Sequence, residues 1–198
     1  MSETPSVEKK GLQPKDLINI GIFTALYFII IMAVAMLGYV PIFIPLLSVI
    51  CPLIGGIPYM LYITKVRHFG MVFIMGTILL MGLGGMGVYA FITGPVCGLL
   101  ADLVLRSSNY NSAGRAIISH GVLSVWLIGN YIPIVMNRAS YFAGIASGYG
   151  QEYANALSSY IPDWSLLPLA LAAFIAGCIG AVIGKKLLHK HFERAGIA

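Results

Sequence analysis

Six apolar runs alternate with polar connections along the chain, and they predict six membrane-spanning helices: Leu17–Gly38, Pro41–Thr64, Gly70–Gly84, Gly87–Leu105, Ala113–Met136 and Trp164–Leu188. A helix needs about 20 residues to cross the hydrocarbon layer, with a range of roughly 17–25. The third and fourth runs sit at the short end of that range. Pro45, Pro52 and Pro58 interrupt the second run, and Gly94-Pro95 interrupts the fourth. The Gly82–Gly87 turn is the weakest boundary, because one long kinked segment there would give five spans. The pattern divides the chain into a polar segment 1–16, a membrane domain 17–188 with a long loop at 137–163, and a basic tail 189–198.

Composition agrees with this reading. Of 198 residues, 59% are hydrophobic and 10% charged, which leaves too little polar surface for a soluble domain of this size. With six spans both termini share one side. That side carries Lys9, Lys10, Lys15, Lys65, Arg67, Arg106, Arg115, Lys185, Lys186, Lys190 and Arg194, eleven of the twelve basic residues, and only Arg138 falls opposite. Retention of Lys and Arg sets topology, so both termini are expected in the cytoplasm. The net charge of +5 is then charge facing anionic lipid and needs no nucleic-acid partner.

Several chemistries are missing from the sequence. The hydrophilic stretch Met1–Asp16 predicts no cleavable signal peptide. Cys51, Cys97 and Cys178 lie in apolar runs without a CxxC spacing and read as small buried hydrophobes. The run GAVIGKK at 180–186 lacks phosphate-loop spacing, so the chain is not expected to hydrolyse ATP by itself. There is no HExxH, no GxSxG and no aspartate motif of lipid-alcohol transferases. No catalytic residue, metal or cofactor is expected.

Polar groups inside the spans carry alternatives. Asp102 and Arg106, four apart, read either as a docking or proton-relay carboxylate with its neighbour or, more simply, as a pair at the lipid boundary. His120 reads as an interhelical hydrogen-bonding residue, since it has no second ligand at metal spacing. Asp102, Arg106 and His120 together are the candidates for a competing reading, a small membrane enzyme with a cytoplasmic-face site around Asp102 and His120. A self-associating channel is a third class, disfavoured by the absence of a repeated polar stripe. Ala173, Gly177 and Ala181 repeat every four residues, as do Gly21 and Ala25. The first set suits packing within the bundle, and the second is a candidate contact face for another chain.

The stretch Asn137–Asp163 is too long and too aromatic for a plain connection. Residues 151–160 read as a short helix on the membrane surface. Beneath it the span ends collect aromatic and polar side chains, and we predict an outward cavity with an apolar wall and a few polar groups. Its candidate ligand residues are Tyr89, Trp126, Asn130, Tyr131, Asn137, Arg138, Tyr149, Gln151, Glu152 and Trp164. An interfacial aromatic belt accounts for the Trp and Tyr but less well for the Asn, Arg, Gln and Glu.

Four stretches carry a resemblance that runs through nearly the whole chain: KDLINIGIFTALYF at 15–28, GLLADL at 98–103, YGQEY at 149–153 and KHFERAGI at 190–197. Together they resemble the substrate-binding S components of energy-coupling-factor (ECF) importers of the ABC transporter class, and most closely the Trep_Strep-like group. The resemblance implies a six-helix bundle in the bacterial plasma membrane. It implies capture of a vitamin-like or other small micronutrient from outside and delivery with a membrane T component and two cytoplasmic ATPases. Family members dock through an AxxxA-type face on the first helix, matched here by Gly21 and Ala25. The family's ligand site lies among the outward ends of helices four to six. The resemblance leaves the ligand open: Arg138 would suit an acid, Glu152 an amine, and haem is conceivable.

Overall fold

The structure is a computed structural model that describes residues 13–82 and 87–195. Helix α1 (Pro14–Ala35) starts with proline in its first turn, and Asp16 Oδ2 accepts the Gln13 N–H at 3.0 Å to close a reciprocal cap. A 3-10 turn at Met36–Tyr39 leads into α2 (Phe43–Lys65). Then follow α3 (Met71–Gly82), α4 (Gly87–Arg106), α5 (Ala113–Ser124), a 3-10 segment Val125–Asn130 and α6 (Ile132–Met136). The long connection forms α7 (Arg138–Tyr149) and α8 (Gln151–Tyr160), and the chain ends with α9 (Leu166–Leu187) and α10 (His189–Ala195). Every regular element among the described residues is a helix.

Five segments are long and apolar enough to cross a membrane among the described residues: Pro14–Tyr39, Phe43–Lys65, Tyr89–Arg106, Ala113–Met136 and Asp163–Leu187. Helix α3, where the third predicted span falls, has 12 residues. It rises about 18 Å, short of the roughly 30 Å hydrocarbon layer. Four residues of the predicted Gly82–Gly87 turn, 83–86, lie outside the described residues, as do 1–12 of the polar segment and 196–198 of the tail. Side chains on α1 and α9 such as Ile18, Ile22, Ile29, Leu167, Leu171 and Ile175 stand exposed. An aqueous surface would not hold such a continuous apolar belt, and lipid does.

Small residues decide how tightly the helices meet. The most extensive contact joins α2 to α9, where a methyl group on Gly56 would come within 2.1 Å of the Gly180 carbonyl carbon. Backbone lies against backbone there, and only glycine fits. On the next face of α9, a methyl on Gly177 would meet the Ser124 Oγ of α5 at 2.4 Å. The repeat on this helix thus serves packing within the bundle. Helices α3 and α4 run antiparallel, with Gly76 set against Gly94 and Val72 against Asp102.

Two ends result. The start of α1 is tied to the α2–α3 connection by Asp16 Oδ2 and His68 Nε2 at 3.4 Å. Lys15, Lys65, Arg67, Arg106, Arg115, Lys185 and Lys186 sit at helix ends on that side. The α7–α8 pair covers the opposite end, where Tyr153 donates its hydroxyl to the Gly38 carbonyl at 2.5 Å. Arg138 is on that side, apart from the other described basic residues.

Candidate functional site

The fifth apolar run does not form one continuous α-helix, and its distortion builds the site. Pro133 has no N–H to give to Gly129, and the chain tightens into 3-10 geometry from Val125 to Asn130. Thr93 of α4 donates to the Trp126 carbonyl at 2.9 Å, which satisfies a group the distortion releases. A methyl on Gly129 would reach the Ala90 Cα at 2.7 Å, so the overwound segment is pressed onto α4 and its opposite face turns inward.

That inward face borders a cavity of about 420 Å³ between α1, α2, the 125–134 segment and α7. The side chains that matter for its chemistry are Ala35, Cys51, Trp126, Asn130, Tyr131 and Tyr141. The Tyr131 hydroxyl donates to the Ile44 carbonyl at 2.6 Å, which anchors the ring as wall. The Asn130 Oδ1 is buried with no hydrogen-bond partner among the described residues. Outside this chamber a second hollow of about 300 Å³ contains Met32, Met36, Tyr39, Tyr149 and Tyr153, and it shares Ala35, Ile44 and Tyr141 with the first. These three side chains therefore stand between an inner chamber and an outer one. Burial raises the phenol pKa of Tyr141 and of Tyr153 above the ordinary value, with Tyr149 adding to the effect, so both stay neutral at physiological pH.

The cover is held down by an arginine. Arg138 Nη1 donates to the Ile161 carbonyl at 2.7 Å, and Nη2 donates to the Ser158 carbonyl at 2.7 Å and to Ser158 Oγ at 2.9 Å. These carbonyls end α8, where the helix dipole favours a cation. Asp163 approaches the same guanidinium at 3.2 Å, and the Phe142 ring lies 5.0 Å from it. The turn between α7 and α8 is Gly150 with φ +89°, a conformation other residues rarely adopt.

The predicted ligand residues separate into groups. Trp126, Asn130 and Tyr131 line the inner cavity. Tyr149 lines the outer chamber and stacks on Tyr153 at 5.1 Å, while Glu152 borders a shallower hollow further out. Arg138 clamps the cover, and Gln151 bonds Asn155 at 2.8 Å on its outer surface. Asn137 is exposed ahead of α7, Trp164 is 72% exposed, and Tyr89 lies at the start of α4 without lining the cavity. The sequence reading missed the α1 and α2 wall and Tyr141. Ala35 and Cys51 lie in apolar runs where cavity, core and lipid faces share one composition. Among the described residues the α4 and α9 ends contribute no wall to this chamber, because α4 is sealed against Gly129 and α9 is packed on α2 and α5.

Gly21 and Ala25 lie exposed on α1, and a methyl on Gly21 would meet nothing within 4 Å. They border a groove that includes Thr24, Phe28, Ile78 and Leu79. Thr24 is 1% exposed and its hydroxyl has no partner among the described residues.

Asp102 is fully buried and does not form the expected pair with Arg106. Its Oδ2 accepts the Val72 N–H at 3.1 Å and the Phe73 N–H at 2.8 Å, which caps the start of α3 from α4. Arg106 lies over the Phe69 ring at 5.2 Å. His120 Nδ1 bonds the Gly177 carbonyl at 2.8 Å, as an interhelical contact should, and its ring lies tilted against Tyr59 with centroids 4.7 Å apart. No three metal-ligating side chains cluster among the described residues.

No curated protein and no solved structure matches the chain. A family of hypothetical bacterial integral membrane proteins does match, over residues 14–194, which takes in every transmembrane segment, the cavity and the α7–α8 cover. The chain is thus a multi-pass protein of the bacterial membrane, and it belongs to the Trep_Strep family.

Proposed function

We propose that this protein is the substrate-binding membrane subunit, or S component, of an ECF-type importer. The observation that carries the reading is the capped cavity at the end of the bundle opposite the basic residues. By the positive-inside rule the basic end faces the cytoplasm and the cavity faces outward. Helix α3 runs from the basic end toward the cover and serves as the short sixth crossing, which returns both termini to the cytoplasm.

A capture site with a cover but no nucleotide-binding motif needs its energy from other chains. The open face at Gly21 and Ala25 is the docking surface for the T component, through which two cytoplasmic ATPases act. A small micronutrient is captured under α7–α8, and the partners then reorient the loaded bundle. The competing enzyme reading needs Asp102, Arg106 and His120 to act together, whereas each is engaged with a different partner.

The test is co-purification of a T component and ATPases with the tagged chain from its own host. Gly21→Leu with Ala25→Leu should abolish it while leaving the folded monomer intact. Retained co-purification removes the docking assignment, and robust uptake by the purified chain alone removes the subunit reading.

A further inference from the structure

The inner cavity is unusual in what its wall lacks. Among the described residues the polar groups on it are the Asn130 amide, the Cys51 thiol, the Trp126 indole and the hydroxyls of Tyr131 and Tyr141, and none is a charged side chain. The two charged candidates nearest in sequence are engaged or remote. Arg138 is bound to the end of α8, and Glu152 is exposed on the outer surface of the cover. A carboxylate, phosphate or ammonium placed in the chamber would lose its hydration with no counter-charge to replace it, which an apolar site does not tolerate.

Asn130 Oδ1 offers the chamber no acceptor, because it is closed off even from water. The Tyr131 hydroxyl is engaged as well, since it donates to Ile44. The remaining surface is aliphatic and aromatic, and a chamber of about 420 Å³ lies in the range of small-molecule sites.

From this geometry we infer that the captured ligand is an uncharged, largely apolar small molecule. The inference rests on the reading of this chamber as the capture site, and it deepens that reading by assigning the substrate class. It replaces the acid and amine expectations attached to Arg138 and Glu152. Ala35, Ile44 and Tyr141, shared by both chambers, are the side chains such a ligand passes on its way in.

The test uses three probes of one skeleton: menthol, which donates through its hydroxyl, menthone, which only accepts, and p-menthane-3-carboxylate, which is anionic at pH 7.5. Trp164→Phe leaves Trp126 as the sole tryptophan, since the chain has two. Its emission is titrated in detergent, and Ala35→Phe, which fills the chamber, corrects for partition into micelles. Menthol should give a saturable change that Ala35→Phe abolishes. Menthone, equally uncharged, should bind within about threefold of menthol. The carboxylate should bind at least about tenfold more weakly than menthol. Carboxylate binding equal to menthol overturns the assigned class and leaves the capture site standing. If no probe responds and Ala35→Phe still supports uptake in the host, the class and the capture site fall together.

Discussion

Replacing Arg138 by Ala should free the cover, and the size of the effect follows from its bonds. The guanidinium donates to two carbonyls at the end of α8, both at 2.7 Å, and to the Ser158 hydroxyl at 2.9 Å. A hydrogen bond to a charged group contributes roughly 1.5–3 kcal/mol. The two carbonyl bonds would give about 3–6 kcal/mol if fully buried. The Arg138 side chain is 30% exposed, and water replaces part of what is lost, so we expect about 2–4 kcal/mol. Asp163, 75% exposed, adds less than about 1 kcal/mol. Opening of the cover should become about 30- to 700-fold more favourable. Hydrogen exchange followed by mass spectrometry on the ligand-free protein reads this directly, as faster exchange of α8 amides with the α2 and α9 core unchanged. Arg138→Lys should recover little, because an ammonium cannot make the fork of parallel bonds. An arginine that contacted ligand instead would weaken binding without altering exchange in the empty protein. If α8 exchange changes by less than about threefold, the clamp argument is wrong.

Three further substitutions test other parts of the structure. Asp102→Ala leaves the Val72 and Phe73 N–H groups of α3, one buried and one part-buried, without an acceptor, and should cost about 2–5 kcal/mol and lower the melting temperature in detergent, whereas Asp102→Asn recovers most of it; an unchanged melting temperature in the Ala variant refutes the capping role. Gly180→Leu puts a Cβ about 2.5 Å from the Pro52 and Leu53 carbonyl oxygens and should prevent a folded monomer on size-exclusion chromatography; a monomer of normal stability would show that α2 and α9 are less closely packed. Gly150→Val forces a branched residue to φ +89° and should cost about 1–3 kcal/mol in the cover alone; exchange of α8 at the normal rate contradicts it.

Much of the fold can be read from the chain because lipid imposes a length on each apolar run. Residues 41–64, 87–105 and 164–188 were expected to span, and the helices observed there begin and end within a residue or two of those limits. The expected surface helix at 151–160 is α8. Helix α7 was not anticipated, since Gly144, Gly148 and scattered small residues give its sequence no clear apolar face. The breakdown of the fifth run into α5, 3-10 and α6 combines the missing N–H of Pro133, a local signal, with the seating of Gly129 on α4, a contact made across sequence. The same limit applies to single polar residues. Asp102 four positions from Arg106 suggests a local pair, but the carboxylate turns to backbone donors on α3 some thirty residues away. Arg138 in a loop has the same sequence signature whether it binds an anion or closes a helix end. Trp126, Asn130 and Tyr131 were legible as cavity-lining residues because an amide between aromatics at a span end is costly without a purpose.

Native mass spectrometry of the chain purified from its own bacterial membranes tests the capture site most directly. The wild-type protein should carry one small uncharged molecule in stoichiometric amount, and Ala35→Phe, folded and inserted, should carry none. A wild-type protein without a bound molecule, or an adduct that survives Ala35→Phe, would contradict the account.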